Sequence, residues 1–193
     1  MQRIYTVGHS NHRLERFNEL LLMHGIEVLL DVRSAPTSTY SPQFNRAALP
    51  RGLPGSIRYA YLGHKLGGRP TLATFYDAGG HVLYGPLSRS ADFKHGLELI
   101  EAHRATKRIA LLCSEADPMC CHRRILIARS FLRRGMDAGD ILHILGDGSL
   151  RSERELPYTE PMLEELWRSP LSVSRNPAPN RSSDELQGLA YQG

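Results

Sequence analysis

The feature that most constrains this chain is a strand, helix, strand succession between Arg3 and Arg33. "RIYTVGH" places Ile4, Tyr5 and Val7 in a short apolar run and reads as a buried strand from Arg3 to Gly8. "SNHRLERFNELLLMHGI" follows, with Leu14, Phe17, Leu20 and Leu21 on one helical face. Ser10 or Asn11 can cap that helix and Gly25 can end it. "IEVLLDVR" then reads as a second strand from Ile26 to Leu30, which delivers Asp31 and Arg33 at its exit. A strand, helix, strand order within so few residues suggests parallel pairing and points to the α/β class.

The remaining pattern extends that architecture. "SIRYAYLG", "KRIALLC" and "DILHIL" (Asp140 to Leu145) read as third, fourth and fifth strands. "ADFKHGLELIEAHRA", "CHRRILIARSFLRRG" and "TEPMLEELW" read as helices, the second closed by Gly135 and the third capped by Thr159 with Pro161 in its first turn. The proline-rich "SAPTSTYSPQFNRAALPRGLPG" is long for a connection and predicts a functional loop with one short helix from Phe44 to Leu49. The segment from Thr71 to Ser90 is rich in glycine and aromatics and reads as an insertion or lid. The expectation is a single α/β domain over residues 1–168, with a mainly parallel sheet of about five strands and helices on both faces. Residues 169–193 lack a pattern and read as a flexible tail.

Composition bounds the setting. Hydrophobic residues make up 41%, and no apolar run could span a bilayer. The start reaches His9 and Asn11 too early for a signal peptide. Three cysteines, two of them adjacent, suit a reducing compartment better than a disulfide framework. A cytoplasmic protein with no membrane partner is expected. The net charge of +4 and the excess of arginine over lysine favour anionic partners, nucleic acid among them.

Ligands of parallel sheets bind beyond the carboxyl ends of the strands. Those ends carry His9 and Ser10, Asp31 and Arg33, His64 and Lys65, and Cys113 and Glu115. The densest stretch is "LLCSEADPMCCHRRILIA", from Leu111 to Ala128, which holds all three cysteines. Cys113, Cys120, Cys121 and His122 are donors suited to zinc, but the first gap of six residues and the adjacent pair do not match a structural zinc knuckle, so no metal is expected. Cys113 can equally end a core strand as a small apolar residue. A phosphate-loop thiol enzyme needs an arginine one short fixed loop after its cysteine, and Met119 stands there after Cys113. Cys121 lies near a helix start, where the dipole and neighbouring cations would favour a thiolate; it can also simply pack beneath the sheet. The same helix start can hold an anion, with Arg123 and Arg33 supplying donors. The alternative is that Asp31–Arg33 and Glu115–Arg123 are structural ion pairs.

Four segments, "TVGHSN", "LLDVRSAPTSTYSPQFN", "YLGHKLGG" and "LLCSEADPMCCHRRILIA", resemble in order the DUF488 family of bacterial and archaeal α/β proteins, over roughly Ile4 to Gly148. The family pattern falls on Gly8, His9, Ser10, Asp31, Arg33, Pro36, Leu62, Gly63, Leu66, Gly67, Gly68, Cys113, Glu115, Pro118, Cys121, His122 and Arg123. The resemblance implies a shared fold and site and no particular substrate or cofactor.

The leading expectation is an enzyme or ligand-binding protein acting on a phosphate-bearing compound, such as a nucleotide or nucleic-acid end. Arg33 and Arg123 would hold the anion, with Ser10, His64 and Lys65 beside it. His9 or His122 would move a proton, Glu115 or Asp31 would orient it, and Cys121 is a further candidate nucleophile. The alternatives are a non-catalytic nucleic-acid-binding protein and a regulatory domain whose polar cluster is structural.

Overall fold

The computed structural model describes residues 2–157. Six strands form one sheet: β1 (Ile4–Gly8), β2 (Val28–Asp31), β3 (Arg58–Tyr61), β4 (Ile109–Cys113), β5 (Ile141–Ile144) and β6 (Leu150–Ser152), in the order β3-β2-β4-β1-β5-β6. The first five are parallel, as the strand–helix alternation requires. The sixth strand, absent from the sequence reading, returns antiparallel on β5. Its turn is written in "GDGS": Gly148 takes a φ of 96°, and the Asp147 carboxylate accepts the Ser149 backbone N–H at 2.8 Å.

The helices are α1 (Leu14–Met23), α2 (Leu49–Gly52), α3 (Gly63–Leu66), α4 (Tyr84–Arg89), α5 (Ala91–Arg104) and α6 (Arg129–Arg133). A π-helical stretch, Arg123–Ala128, leads directly into α6. The helix expected between Phe44 and Leu49 is instead a 3-10 turn at Pro42–Phe44 followed by α2, because prolines bracket the segment. The helix expected at Thr159 and the tail lie outside the described residues.

Strand alternation divides the core in two. Ile4, Val28, Leu30, Val32, Ile109 and Leu111 pack with α5 and the π-helical stretch. Tyr5, Val7, Leu29, Ala110 and Leu112 pack with Phe17, Leu20 and Leu21 of α1 and with Phe44 and Leu49. Both layers are mainly apolar, and β1, β2, β4 and β5 are fixed in register by burial on two faces, whereas β3 lies at the less buried edge. One polar chain crosses the first layer. Thr6 Oγ1 meets His143 Nδ1 at 2.7 Å, His143 Nε2 donates to Glu153 at 2.6 Å, and Arg124 Nε donates to the other Glu153 oxygen at 2.8 Å. Glu153 is fully buried, so these contacts anchor the β6 region to β1, β5 and the π-helical stretch.

The central pair continues past its strand ends. His9 N–H donates to the Cys113 carbonyl at 3.0 Å and Ser10 N–H to the Ser114 carbonyl at 2.9 Å. A side chain at Gly8 would overlap the Glu115 carbonyl oxygen, so only glycine lets the two backbones lie this close. Gly8→Ala is therefore predicted to lower unfolding stability by about 1–3 kcal/mol or more. Denaturant unfolding checks this, and a midpoint equal to that of the parent would contradict the close approach.

Candidate active site

The polar groups at the carboxyl edge form two clusters, one on each face. On the α1 face, the Asp31 carboxylate is completely enclosed. Its Oδ1 accepts from Arg33 Nε at 2.9 Å and from the Arg33 backbone N–H at 3.1 Å. Its Oδ2 accepts from Arg33 Nη2 at 2.6 Å and from the Tyr59 hydroxyl at 2.7 Å. Arg33 Nη2 also donates to the Phe44 carbonyl at 2.8 Å. The fork of Arg33 is thus committed to the protein, and it ties the proline-rich loop to the end of β2. His9 lies flat on Phe44, with ring centroids 4.4 Å apart, and its Nδ1–H donates to the Ser10 carbonyl at 2.8 Å. Burial holds its imidazole below the usual range; the Ser10 carbonyl opposes that fall and the Arg33 charge adds to it.

The other face carries sulfur. Cys113, at the end of β4, meets Cys121 and His122, at the entry to the π-helical stretch. The two Sγ atoms and a His122 ring nitrogen lie within 4.8 Å of one another, all buried. His122 Nδ1 is 3.4 Å from Cys113 Sγ, and its Nε2 lies 3.0 Å from the Val32 carbonyl. A carbonyl can only accept, so Nε2 carries a proton and Nδ1 faces the sulfur. The hydrogen bond from Cys121 pulls the Cys113 thiol well below its usual range; burial opposes this, and the His122 and Arg123 charges add to the fall. Burial pushes the Cys121 thiol up, and donation to Cys113 pushes it further. Burial alone would lower His122, but the Cys113 charge and hydrogen bond hold it above its usual value.

Arg123 closes this cluster from behind. It is fully buried, and its Nη groups donate to the carbonyls of Glu115 and Ala116, the latter at 2.9 Å. No carboxylate pairs with it among the described residues, and its Nε has no hydrogen-bond partner. The Glu115–Arg123 contact is therefore made through the backbone, and the Glu115 side chain is exposed. The Asp117 carboxylate caps the following turn by accepting the Met119 N–H at 2.8 Å. Tyr84, from the segment read as a lid, is buried near both sulfurs; burial first, then the two sulfur charges, raises its hydroxyl above the usual phenol range.

The "YLGHKLGG" segment serves through its glycines. A Cβ on Gly63 would overlap the Arg33 carbonyl, and one on Gly68 would stand 2.7 Å from the His122 ring. The segment thereby packs backbone against both clusters. His64 is exposed and tilted on Tyr61, and Lys65 pairs with Asp92 at 3.3 Å. Ser10 takes a φ of 48° and bonds to Asn11 at 3.3 Å. A groove lined by Glu101, Arg104, Phe131 and Met136 lies beyond the opposite end of the sheet and holds none of these residues.

The sequence reading missed the Val32 carbonyl, the Tyr59 hydroxyl, Tyr84 and the seating of His122 on Gly68. Only the paired glycines at Gly67 and Gly68 signal any of this locally. The spacing that argued against a metal is also overcome in space, because the turn at Pro118 folds Cys121 and His122 back onto Cys113.

The match with known families falls on this same region: the model described as "Domain of unknown function DUF488" covers residues 13–130. The chain belongs to the DUF488 family. No curated protein and no solved structure matches it. The DUF488 span contains Asp31, Arg33, the Gly63–Gly68 turn and the whole sulfur cluster, whereas β1 with His9 and Ser10 precedes it.

The burial of the Asp31–Arg33 pair makes a specific prediction. Arg33→Ala strands a carboxylate with no access to water, so it is predicted to destabilise the fold by about 3–5 kcal/mol. Denaturant unfolding measures this. A variant with parental stability and weakened phosphate binding would restore Arg33 to the role of ligand.

Proposed function

We propose that this DUF488 protein is a thiolate-dependent enzyme in which Cys113 is the nucleophile and His122 its proton partner. The observation that carries this reading is the 3.4 Å contact of Cys113 Sγ with His122 Nδ1, with the far side of the imidazole held by the Val32 carbonyl. A base oriented by a third group against a nucleophile is the arrangement from which covalent catalysis works. Arg123 supports the same charge state: a buried guanidinium calls for an anion, and the Cys113 thiolate is the anion its neighbourhood can supply. The sulfur would form a bond to an electrophilic atom of the substrate, and the departing group would take the His122 Nδ1 proton.

This reading moves the nucleophile from Cys121 to Cys113. It also moves the chemistry away from a phosphate held by Arg33 and Arg123, since Arg33 Nε and Nη2 and both Arg123 Nη groups donate to protein oxygens. No helix among the described residues is long and apolar enough to cross a membrane. A cytoplasmic location fits the reading, because a reducing compartment keeps such thiols free.

The ion pair sets the expected pH dependence. The contact with Cys121 lowers Cys113 and the contact with Cys113 raises His122, the two directions that favour a thiolate–imidazolium pair over two neutral groups. In a Cys120→Ser background, which removes the exposed thiol, ultraviolet absorbance should report one thiolate titrating below the ~8.5 of a free cysteine. Cys113→Ser should abolish that signal, and His122→Asn should move it upward. A cluster with no thiolate below that range, or elemental analysis finding about one zinc per chain, would overturn the proposal.

A further inference from the structure

We infer that Cys113 and Cys121 form a dithiol–disulfide couple that exchanges two electrons with disulfide substrates. The inference rests on the thiolate reading above and names the substrate class of that site. A nucleophile alone has no need of a second thiol buried against it. Here the two sulfurs lie within 4.8 Å of each other, Cys113 at a strand end and Cys121 just after the 3-10 turn at Pro118–Cys120. Closing them to the ~2.05 Å of a disulfide calls for side-chain rotation at the edge of the sheet.

Exposure sets the order of events. Both cysteines are buried, Cys113 at 5% residue exposure and Cys121 at none, and Cys113 is the one in contact with His122, so it is assigned the first attack and Cys121 the second. The Cys113 thiolate attacks one sulfur of the substrate disulfide. A Cys113–substrate bond forms, the substrate S–S bond breaks, and the departing thiolate takes the His122 proton. The Cys121 thiol then gives its proton to the now neutral imidazole, attacks Cys113 Sγ and expels the second substrate thiolate, which takes that proton in turn. The substrate disulfide is reduced to two thiols and the protein dithiol is oxidised to one disulfide. A dithiol reductant reverses the change. The Arg123 backbone N–H, which bonds Cys121 Sγ, stands ready to support that sulfur as it becomes the attacking anion.

The surroundings also bias the couple. His122 and Arg123 have the Cys113 thiolate as a counter-charge in the dithiol form and lose it in the disulfide form. They therefore favour the reduced state and make the disulfide oxidising. Cys120, exposed and outside the cluster, takes no part.

The test is anaerobic equilibration of the Cys120→Ser protein with graded mixtures of reduced and oxidised glutathione, acid quenching, alkylation and mass spectrometry. The expected product is an intramolecular Cys113–Cys121 disulfide formed in one two-electron step. Cys121→Ser should stop at a Cys113–glutathione mixed disulfide, and Cys113→Ser should leave Cys121 reduced. His122→Asn should shift the glutathione ratio at the midpoint about tenfold towards disulfide. If the protein with both cysteines stops at the glutathione adduct, the couple is overturned while the nucleophile stands. If Cys113 forms no adduct and shows no low-titrating thiolate, both readings are overturned. The cross-link in the protein with both cysteines is read without altering either one, so a variant that fails to fold does not remove the test.

Discussion

A guanidinium sealed from water must be held by the protein around it, and the carboxyl edge of this sheet is organised around that requirement at Arg123. Its Nη groups gather the carbonyls of Glu115 and Ala116, and so fix the turn that follows β4. The same turn closes over Gly8, where no side chain fits, and this keeps β1 and β4 in register beyond their formal ends. Fixing that turn in turn places Cys121 and His122 against Cys113. Backbone closeness, the buried cation and the sulfur cluster are therefore one construction.

Alternation along a strand explains why the edge holds two clusters. Asp31 and Arg33 point to the α1 face, while Val32 between them packs on the other. Val32 belongs to both arrangements, because its side chain lies in the first apolar layer and its carbonyl orients His122. The Asp31–Arg33–Tyr59 cluster holds the proline-rich loop in place through Phe44, on which His9 then rests. One face thus ties the loop to the sheet, and the other holds the sulfur–imidazole contact on which the proposed chemistry rests. The glycines of the α3 segment lock the two together by packing on the Arg33 carbonyl and the His122 ring.

Much of this was legible in the sequence. The parallel α/β architecture followed from apolar runs alternating with helical periodicity, and Gly25 and Gly135 take the positive φ that ends a helix. Most of the side chains brought together at this edge were also named, because strand exits concentrate polar groups, although Tyr59 and Tyr84 were not. Their pairing was not legible. Nothing local distinguishes an Arg33 that binds a ligand from one that binds Asp31, since the difference lies in which face each side chain takes and what covers it. Cys121 looked more reactive than Cys113 because a helix start favours a thiolate; in the fold, the hydrogen bond from Cys121 lowers Cys113, while burial and that same bond raise Cys121. The sixth strand and the buried Glu153 were missed for a similar reason: Glu153 meets His143 and Arg124 only after the chain has folded.

The thiolate–imidazolium pair turns on the protonation state of one imidazole. Nitrogen-15 NMR of the His122 ring reads it directly, without a substrate and without altering the cluster. The predicted result at neutral pH is an imidazolium with both ring nitrogens protonated, reverting in Cys113→Ser to a neutral ring protonated only at Nε2. A ring that is neutral at Nδ1 in the intact protein, and unchanged by loss of the Cys113 sulfur, would contradict the thiolate–imidazolium pair on which the function is built.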